Sequence, residues 1–412
     1  MTLRAAQPAE PRPRLHILNR LARHLGAAAG VASRAQQQPP ASATATSAAA
    51  AAAAAGAVVP WWDTPTGTKR AYSHSLGPGV EAWVPGRALP VLVAQGEQPG
   101  PTLLVTAAVH GNEYDGIAAI RTVWEELDPA QMSGTFVGIT CCNVDAHLVP
   151  HRNSQSDGQN LARVFPGKAD GTLTERVAHC IMHDFIERAS MMCDLHTAGS
   201  DMRMIPIIGY TLDPPPHNPQ SLEQARAAAK AFGLKTIWSN AVDPGAPELT
   251  WQPGDPVPSP FSKGTSGAAA WLAGVPFLYT EATGTGGVHA RDIQLYTQGV
   301  RNLVQHLGIC AEAGGSPPPV DQVVVEDFTP GSGHIQHQHV TPVGGVFHCE
   351  VDLYDQVEHG QLLGTVRDLF GAVIYTVRAS KSGAIITLRH VARVKAGDAL
   401  VNIAPDVGPR EY

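Results

Sequence analysis

The residues whose types and spacing point most directly to chemistry are His110 and Glu113, on one short turn, and the distant His196. Side chains three positions apart can converge on one ion, and His196 can complete a set of two imidazoles and one carboxylate. With a fourth position left for water, that set is typical of hydrolytic zinc, which lowers the pKa of its water and polarises a carbonyl group. The chain has 18 histidines, so ordinary surface or core histidines are the alternative interpretation.

The flanking sequences place these residues at the ends of strands. Residues 102–109 form a nearly continuous apolar run rich in β-forming residues, typical of a strand buried on both faces of a parallel sheet. Gly111 allows a turn, and residues 116–127 have the apolar spacing of a helix. We therefore expect the ligands where a strand gives way to a helix, which is the usual crevice of open α/β sheets.

The segment around His196 follows the same logic. Thr172 and Glu175 form a capping box that predicts a helix as far as about Arg188. Residues 190–196 then indicate a strand that ends at His196. Asp194 is a candidate for orienting the His196 ring, although alternation along the strand is equally compatible with a packed polar group.

Three arginines are candidates for binding an acidic substrate. Arg152 and Arg163 lie in a polar segment, residues 152–167, and either guanidinium can fork onto a carboxylate. Arg203 lies just beyond His196 and is a candidate for the same task. For all three, an ordinary surface arginine in a solvated loop is the alternative.

Several motifs occur in one order along roughly residues 101–307: His110-Gly111-Asn112-Glu113, Asn143 with Ala146, Arg152, Asp157-Gly158, Asn160-Leu161, Arg163, Phe165-Pro166-Gly167 and Asp194-Leu195-His196. Together they resemble the succinylglutamate desuccinylase/aspartoacylase family, an M14-type group whose fold is similar to that of the zinc carboxypeptidases. The resemblance implies an α/β fold with a mixed sheet flanked by helices and a single zinc ion per chain. It also implies His110, Glu113 and His196 as metal ligands, and Arg152, Asn160 and Arg163 as substrate contacts.

One departure from the family pattern concerns the substrate. The family commonly has an asparagine immediately before the loop arginine, where this chain has Ala162. The exchange leaves the metal ligands untouched but removes a side-chain amide from the substrate pocket. The D-G-Q-N-L-x-R loop and the C-terminal region are more similar to deacylases of N-acetylated diamino acids than to aspartoacylase itself.

Glu281 is the candidate general base. Residues 274–281 predict a late strand, and the family has a catalytic glutamate at the end of the equivalent strand. The expected reaction is attack of an activated water on an amide carbonyl, with Glu281 passing the proton to the leaving amine and Arg163 stabilising the oxyanion. An N-cap or surface acid is the alternative interpretation of Glu281.

Beyond a linker at residues 314–319 the pattern changes to strands. The segments 345–363 and 383–400 echo each other and resemble the two halves of a barrel-sandwich module such as the biotinyl/lipoyl domains. We therefore predict a catalytic domain over residues 61–312 and a C-terminal all-β module over 313–412. Three histidines before the first half are a weaker candidate metal cluster: His334, His337 and His339.

Residues 1–60 contain six arginines and one acid, with leucines at helical spacing and a Ser/Thr/Ala tract. Such a leader suits a transit peptide to a mitochondrion or plastid, and a disordered extension of a cytoplasmic protein is the alternative. The six cysteines show no C-x-x-C spacing and favour buried free thiols in a reducing compartment. A net charge of −7 argues against nucleic acid as a partner, and no apolar stretch predicts a membrane span.

These observations predict a zinc-dependent hydrolase that cleaves the amide bond of a small N-acyl amino acid. A metallocarboxypeptidase acting on peptides and a catalytically silent ligand-binding homologue are the alternatives. The sequence leaves open whether the chain forms a homo-oligomer.

Overall fold

A nine-stranded mixed sheet forms the centre of the computed structural model, which describes residues 60–77, 87–211, 219–240, 264–319, 321–327, 339–405 and 407–408. The predicted leader up to residue 59 lies outside the described residues, as do His334 and His337. Ten described strands precede residue 328: β1 Thr68–Ser75, β2 Ala88–Gln95, β3 Gln98–Ala107, β4 Ser133–Ile139, β5 Met191–Leu195, β6 Met202–Met204, β7 Ile207–Thr211, β8 Thr236–Asn240, β9 Phe277–Glu281 and β10 Val323–Asp327.

All of these strands except β6 form the large sheet, in the order β1-β2-β4-β3-β5-β9-β7-β8-β10. Strands β4, β3, β5 and β9 run parallel to one another. Their neighbours β2 and β7 are antiparallel to this group. The carboxyl ends of β3, β5 and β9 therefore meet at one edge of the sheet.

Helices cover both faces of this sheet. Six α-helices are described: α1 Asp115–Glu126, α2 Val144–His147, α3 Leu173–Cys180, α4 Pro219–Phe232, α5 Ser266–Leu272 and α6 Ala290–His306. Helices α1, α4 and α6 pack on one face, where Leu103 and Val105 of β3 point. Helices α3 and α5 pack on the other, with Leu104. No helix in the described segments is long and apolar enough to span a membrane.

The C-terminal region is built from short antiparallel strands. These are β11 His339–Val340, β12 Gly345–Cys349, β13 Gln356–Val357, β14 Leu362–Arg367, β15 Val373–Arg378, β16 Gly383–Arg389, β17 Arg393–Val394 and β18 Ala399–Ala404. They form two sheets around a shared apolar interior. The short strands cross between the halves, because β13 pairs with β16 and β17 pairs with β12.

Two strands link the regions that the sequence assigns to separate domains. Strand β6 pairs with β16, and so adds a strand from residues 202–204 to a C-terminal sheet. Strand β10 lies beyond residue 312 yet pairs in parallel with β8 at the edge of the large sheet. The boundary at residues 312 and 313 stays a prediction. Strands β6 and β10 each pair with a strand on the other side of this boundary.

The predicted fold class is confirmed: a mixed α/β sheet flanked by helices, followed by an antiparallel β region. The capping box is present, since Thr172 accepts from the amide of Glu175 and Glu175 accepts from that of Thr172. The helix it starts is α-helical only to Cys180. It continues as a π-helical turn over Ile181–Phe185 and a 3₁₀ turn over Ile186–Arg188.

Candidate active site

The loop between β3 and α1 carries the first two candidate ligands. Its backbone is constrained, because a Cβ atom at Gly111 would lie 2.2 Å from the carbonyl carbon of Ala146. Ala108, which precedes His110 by two residues, has a positive φ of 50°, which is rare for a residue other than glycine. The sequence V-H-G-N-E thus forms a tight turn that places the side chains of His110 and Glu113 together.

The structure brings the three predicted ligands together. Nδ1 of His110 lies 2.8 Å from Oε1 of Glu113, and Nδ1 of His196 lies 3.0 Å from Oε2. Each residue offers one ligand atom within 4.8 Å of the others, and all three residues are buried. Two nitrogens and one carboxylate oxygen are the donor set that zinc takes in catalytic sites.

One atom of this group supports the fit to a cation. Nε2 of His110 is buried and has no hydrogen-bond partner among the described residues. Burial lowers the pKa of His110 to about 4, so the ring is neutral at physiological pH and has a lone pair to offer. Burial alone would raise the pKa of Glu113, but His110 and His196 hold it below its ordinary value, which keeps the carboxylate charged.

Asp194 fixes the orientation of His196. It is fully buried, and its Oδ2 lies 3.0 Å from Nε2 of His196, so that Nδ1 faces Glu113. Thr106 donates to Oδ1 at 2.7 Å and Ser266 donates to Oδ2 at 2.6 Å. A carboxylate on the far nitrogen of a ligating imidazole fixes its tautomer and raises its basicity.

The charges of this pair are mutually stabilised. Burial would lower the pKa of His196, but Asp194 and Glu113 raise it well above its ordinary value. Burial would likewise raise the pKa of Asp194, yet His196 and the two hydroxyl donors lower it. Asp194 is therefore an anionic hydrogen-bond acceptor for the His196 ring.

Glu281 is the last residue of β9, the strand next to β5. Its side chain is half-buried, and its Oε2 is shielded from solvent without a hydrogen-bond partner in the described part of the chain. Burial raises the pKa of Glu281 to about 8, and the nearby Glu113 adds to the effect. A carboxylate with a raised pKa and a free oxygen is suited to accepting a proton.

The substrate arginines differ in what they contact. Nη1 of Arg152 lies 3.7 Å from Oε1 of Glu113, so Arg152 reaches the candidate metal ligands. Arg163 is exposed, and its Nη1 donates to the carbonyl of Ala162 at 2.7 Å. Although the residue as a whole is exposed, neighbouring protein atoms partly desolvate its guanidinium group. This desolvation, and then the charge of Arg152, lower the pKa of Arg163, which indicates that the two guanidinium groups are neighbours.

The other two predicted substrate contacts hold local structure. Oδ1 of Asn160 accepts from the amide of Ala162 at 2.9 Å and caps the 3₁₀ turn that carries Arg163. Nη2 of Arg203, on β6, lies 2.8 Å from Oδ1 of Asp352 in the C-terminal region. Ala162 itself is buried. Substrate-binding roles for Asn160 and Arg203 stay predictions.

Three residues that support the site were not predicted from the sequence. Thr106 and Ser266 hold Asp194, and the hydroxyl of Tyr296 on α6 donates to the carbonyl of His196. Thr106 had a local signal, as the one hydroxyl in the second half of an apolar strand. Ser266 and Tyr296 had no such local signal, and their partners lie 72 and 100 residues away along the chain.

Comparison with known proteins places this geometry in a family. The model of the succinylglutamate desuccinylase/aspartoacylase catalytic domain matches residues 99–307, just over half of the chain. The chain belongs to this family of deacylases. The match includes His110, Glu113, His196, Glu281 and both loop arginines, and ends at α6, before the C-terminal strands.

Individual relatives extend the likeness beyond the catalytic segment. N-alpha-acetyl-L-2,4-diaminobutyric acid deacetylase from Halomonas elongata is 27% identical over 316 residues, which are 76% of this chain and 84% of that one. Two solved structures share the fold. The ectoine utilization protein EutE (DoeB) of Ruegeria pomeroyi has a TM-score of 0.67 at 24% identity, covering 83% of this chain and 98% of that one. A succinylglutamate desuccinylase from Silicibacter sp. TM1040 has a TM-score of 0.67 at 22% identity, covering 83% and 97%.

Proposed function

We propose that this protein is a zinc-dependent deacylase that hydrolyses the amide bond of a small N-acyl amino acid with a free carboxylate. The observation that carries the proposal is the position of Glu113, whose carboxylate lies 2.8 Å from His110, 3.0 Å from His196 and 3.7 Å from Arg152. The candidate metal ligands and the guanidinium of Arg152 therefore meet at one carboxylate. The candidate base, Glu281, lies on β9, the strand next to β5.

His110, Glu113 and His196 would hold the zinc ion. When bound, zinc supplies a Lewis acid that activates water and polarises the scissile carbonyl. The neutral His110 and the anionic Glu113 fit that ion by donor type and by charge, and the His196 ring, oriented by Asp194, fits it by donor type. Zinc as the resident metal remains part of the proposal.

Glu281 moves the proton in the proposed reaction. As a carboxylate it accepts one proton from the water whose oxygen forms the new bond to the carbonyl carbon. It then donates that proton to the amine nitrogen as the C–N bond breaks, so the products are a carboxylate and an amine. Its half-buried position at the end of β9 limits competing solvent.

The geometry favours Arg152 over Arg163 for stabilising the oxyanion. Nη1 of Arg152 lies 3.7 Å from Glu113, whereas the guanidinium of Arg163 donates to the carbonyl of Ala162 in its own turn. We therefore place Arg152 at the developing negative charge and Arg163 at the substrate carboxylate. The relative from Halomonas elongata supports an N-acetylated diamino acid as the first compound to try.

A panel of matched compounds tests the proposal. Zinc-loaded protein is assayed on N-acetyl-2,4-diaminobutyrate, N-acetylaspartate, N-succinylglutamate, their α-methyl esters and a set of dipeptides. We expect kcat/KM for at least one N-acyl acid to exceed that for its ester by 100-fold or more, an order-of-magnitude value based on one lost bidentate contact. Preference for dipeptides would instead establish a carboxypeptidase, and no turnover of any compound would leave a binding protein.

A further inference from the structure

A second cluster of ionisable side chains lies outside the candidate active site. Asp115 is the first residue of α1, His289 precedes α6, and Asp292 lies in the first turn of α6. Each offers one atom within 4.8 Å of the others. None of the three takes part in the proposed reaction.

Two of the three inward-facing atoms of this cluster have no hydrogen-bond partner among the described residues. Asp115 is fully buried, and its Oδ1 accepts from the amide of His289 at 2.7 Å. Its Oδ2 and the Nδ1 of His289 are both buried without a hydrogen bond to any described residue. They lie 3.8 Å apart, and Nδ1 lies 3.9 Å from Oδ2 of Asp292, which is too far for hydrogen bonding.

The remaining contacts hold these atoms in place. Oδ2 of Asp292 accepts from the amide of Thr283 at 3.0 Å, so the carboxylate cannot turn away freely. Nε2 of His289 lies 3.2 Å from the hydroxyl of Thr285. If Nε2 donates that hydrogen bond, the lone pair of Nδ1 faces two carboxylates. In that tautomer, three electron-rich atoms surround one point, where a cation would be stabilised.

We propose that Asp115, His289 and Asp292 form a second metal site, which binds a divalent transition metal such as Zn²⁺. The donor set of one imidazole nitrogen and two carboxylate oxygens suits zinc or manganese. The His289 side chain is 31% exposed, which gives an ion a route from solvent to atoms that are otherwise buried.

The position of the site gives it a structural task. Asp115 begins the helix that follows Glu113, and His289 ends the loop that follows Glu281. An ion there ties the segment after a candidate metal ligand to the segment after the candidate base. It would hold these two catalytic segments in register without contacting substrate.

Metal stoichiometry tests the proposal independently of activity. Purified protein is equilibrated with excess Zn²⁺, dialysed and measured by elemental analysis. We expect two zinc ions per chain in the parent and one in His289→Gln. Asp115→Asn, which keeps an acceptor for the His289 amide, should also hold one. His306→Gln, at an exposed histidine, is the matched control and should hold two.

Thermal unfolding separates this site from the one that carries the proposed function. In the His196→Ala background, added Zn²⁺ should still raise Tm, because binding to the folded state alone stabilises it. Adding His289→Gln should abolish that rise. Equal zinc content in the parent and His289→Gln, or a zinc-dependent Tm rise that survives in the double variant, would overturn the second site. Loss of the first site alone would leave this result unchanged.

Discussion

At the scale of single residues, Glu113 is a buried carboxylate whose charge depends on its partners. It is 2% exposed and meets two imidazoles and one guanidinium, so its charge is stabilised by partners rather than by water. A buried carboxylate is costly unless it is paired and hydrogen-bonded. The cluster is therefore interdependent, and changes at its border should be more informative than removal of Glu113 itself.

Glu281→Gln should preserve the fold and the metal while lowering kcat by about 10²–10⁴-fold, the usual contribution of a general base. Glutamine has nearly the same shape but does not accept the proton of the attacking water. Turnover of the N-acyl substrate and zinc content are measured together, with the exposed Glu125→Gln as a matched control. Turnover within tenfold of the parent would place the base elsewhere.

Asp194→Asn should weaken zinc binding by about 10–100-fold, because the ring of His196 loses its anionic acceptor. The amide keeps the size of the carboxylate but has a single oxygen, so only one of Thr106 and Ser266 keeps its acceptor. Zinc affinity is measured by competition with a chelator. Ser266→Ala, which removes one hydroxyl from the same carboxylate, should reduce affinity less than Asp194→Asn; the reverse order would contradict Asp194 as the positioning residue.

The sequence predicted residues such as His110 and Glu113 because their spacing along the chain is itself the signal. Glu281 needed the family resemblance, since one acid at a strand end is ambiguous. Ser266 was not predictable, because a serine at a helix start has a common local explanation next to the capping Thr265. Its contact with Asp194 exists only once α5 packs against β5.

At the scale of elements, the site depends on adjacent parallel strands. Ala107 on β3 pairs with Leu195 on β5, and Leu195 pairs with Thr280 on β9. This register brings three chain segments to one edge within a few residues of their strand ends. Apolar runs predicted β3, β5 and β9 to within a few residues, because strands buried on both faces have a composition of their own.

Short elements without a sequence pattern of their own were not predicted. Strand β6 has three residues, and pairing with β16, rather than any local pattern, makes it a strand. The π-helical turn after α3 likewise interrupts a sequence with continuous helical spacing. Pairing with a distant strand decides β6, and no local sequence signal marks the π-helical turn.

The loop that carries the two arginines is attached to α3 through Asp157. Its carboxylate accepts from the amide and the hydroxyl of Thr174 and from the amide of Gln159. Burial alone would raise the pKa of Asp157, but these donors hold it below its ordinary value. The folded state therefore prefers the charged form of this carboxylate.

Asp157→Asn should lower the free energy of unfolding by about 1–2 kcal/mol at pH 7, since hydrogen bonds to a charged acceptor are replaced by weaker ones at a partly solvated site. A depressed folded-state pKa stabilises above the unfolded value of about 3.9 and loses that effect as pH falls through the folded value. The difference from the parent should shrink below about pH 4. Urea unfolding at pH 7 and below about pH 4 measures this difference. An equal effect of Asp170→Asn, at an exposed aspartate, on the free energy of unfolding would refute the prediction.

At the scale of the whole molecule, the described chain begins as packed structure at Pro60 and Trp61. Trp61 is 5% exposed, stacks on Phe185 at 6.4 Å between ring centroids, and donates from its indole to the carbonyl of Asp184 at 2.7 Å. The predicted leader and its organellar destination stay predictions. The predicted end of the leader, residue 60, directly precedes Trp61, whose side chain is buried in the core.

Removal of residues 1–57 should leave activity and Tm unchanged, because that segment is rich in alanine and poor in groups that could form a core. Removal of residues 1–62 should lower stability by about 3–5 kcal/mol, the usual cost of deleting a buried aromatic side chain. Both truncations are compared by thermal unfolding and by assay of the N-acyl substrate. Equal stability of the two would show that Trp61 adds nothing to the core.

The pairing of β6 with β16 can form only late in the synthesis of this protein. Residues 202–204 emerge from the ribosome soon after His196, but their hydrogen-bonding partner follows some 180 residues later. Backbone bonds also tie β6 to the segment after Glu281, through Thr283 and Thr285. The catalytic edge therefore acquires its final support only when residues 383–389 have been made. A chain terminated shortly before residue 387 would carry every candidate catalytic residue and still lack the pairing between β6 and β16.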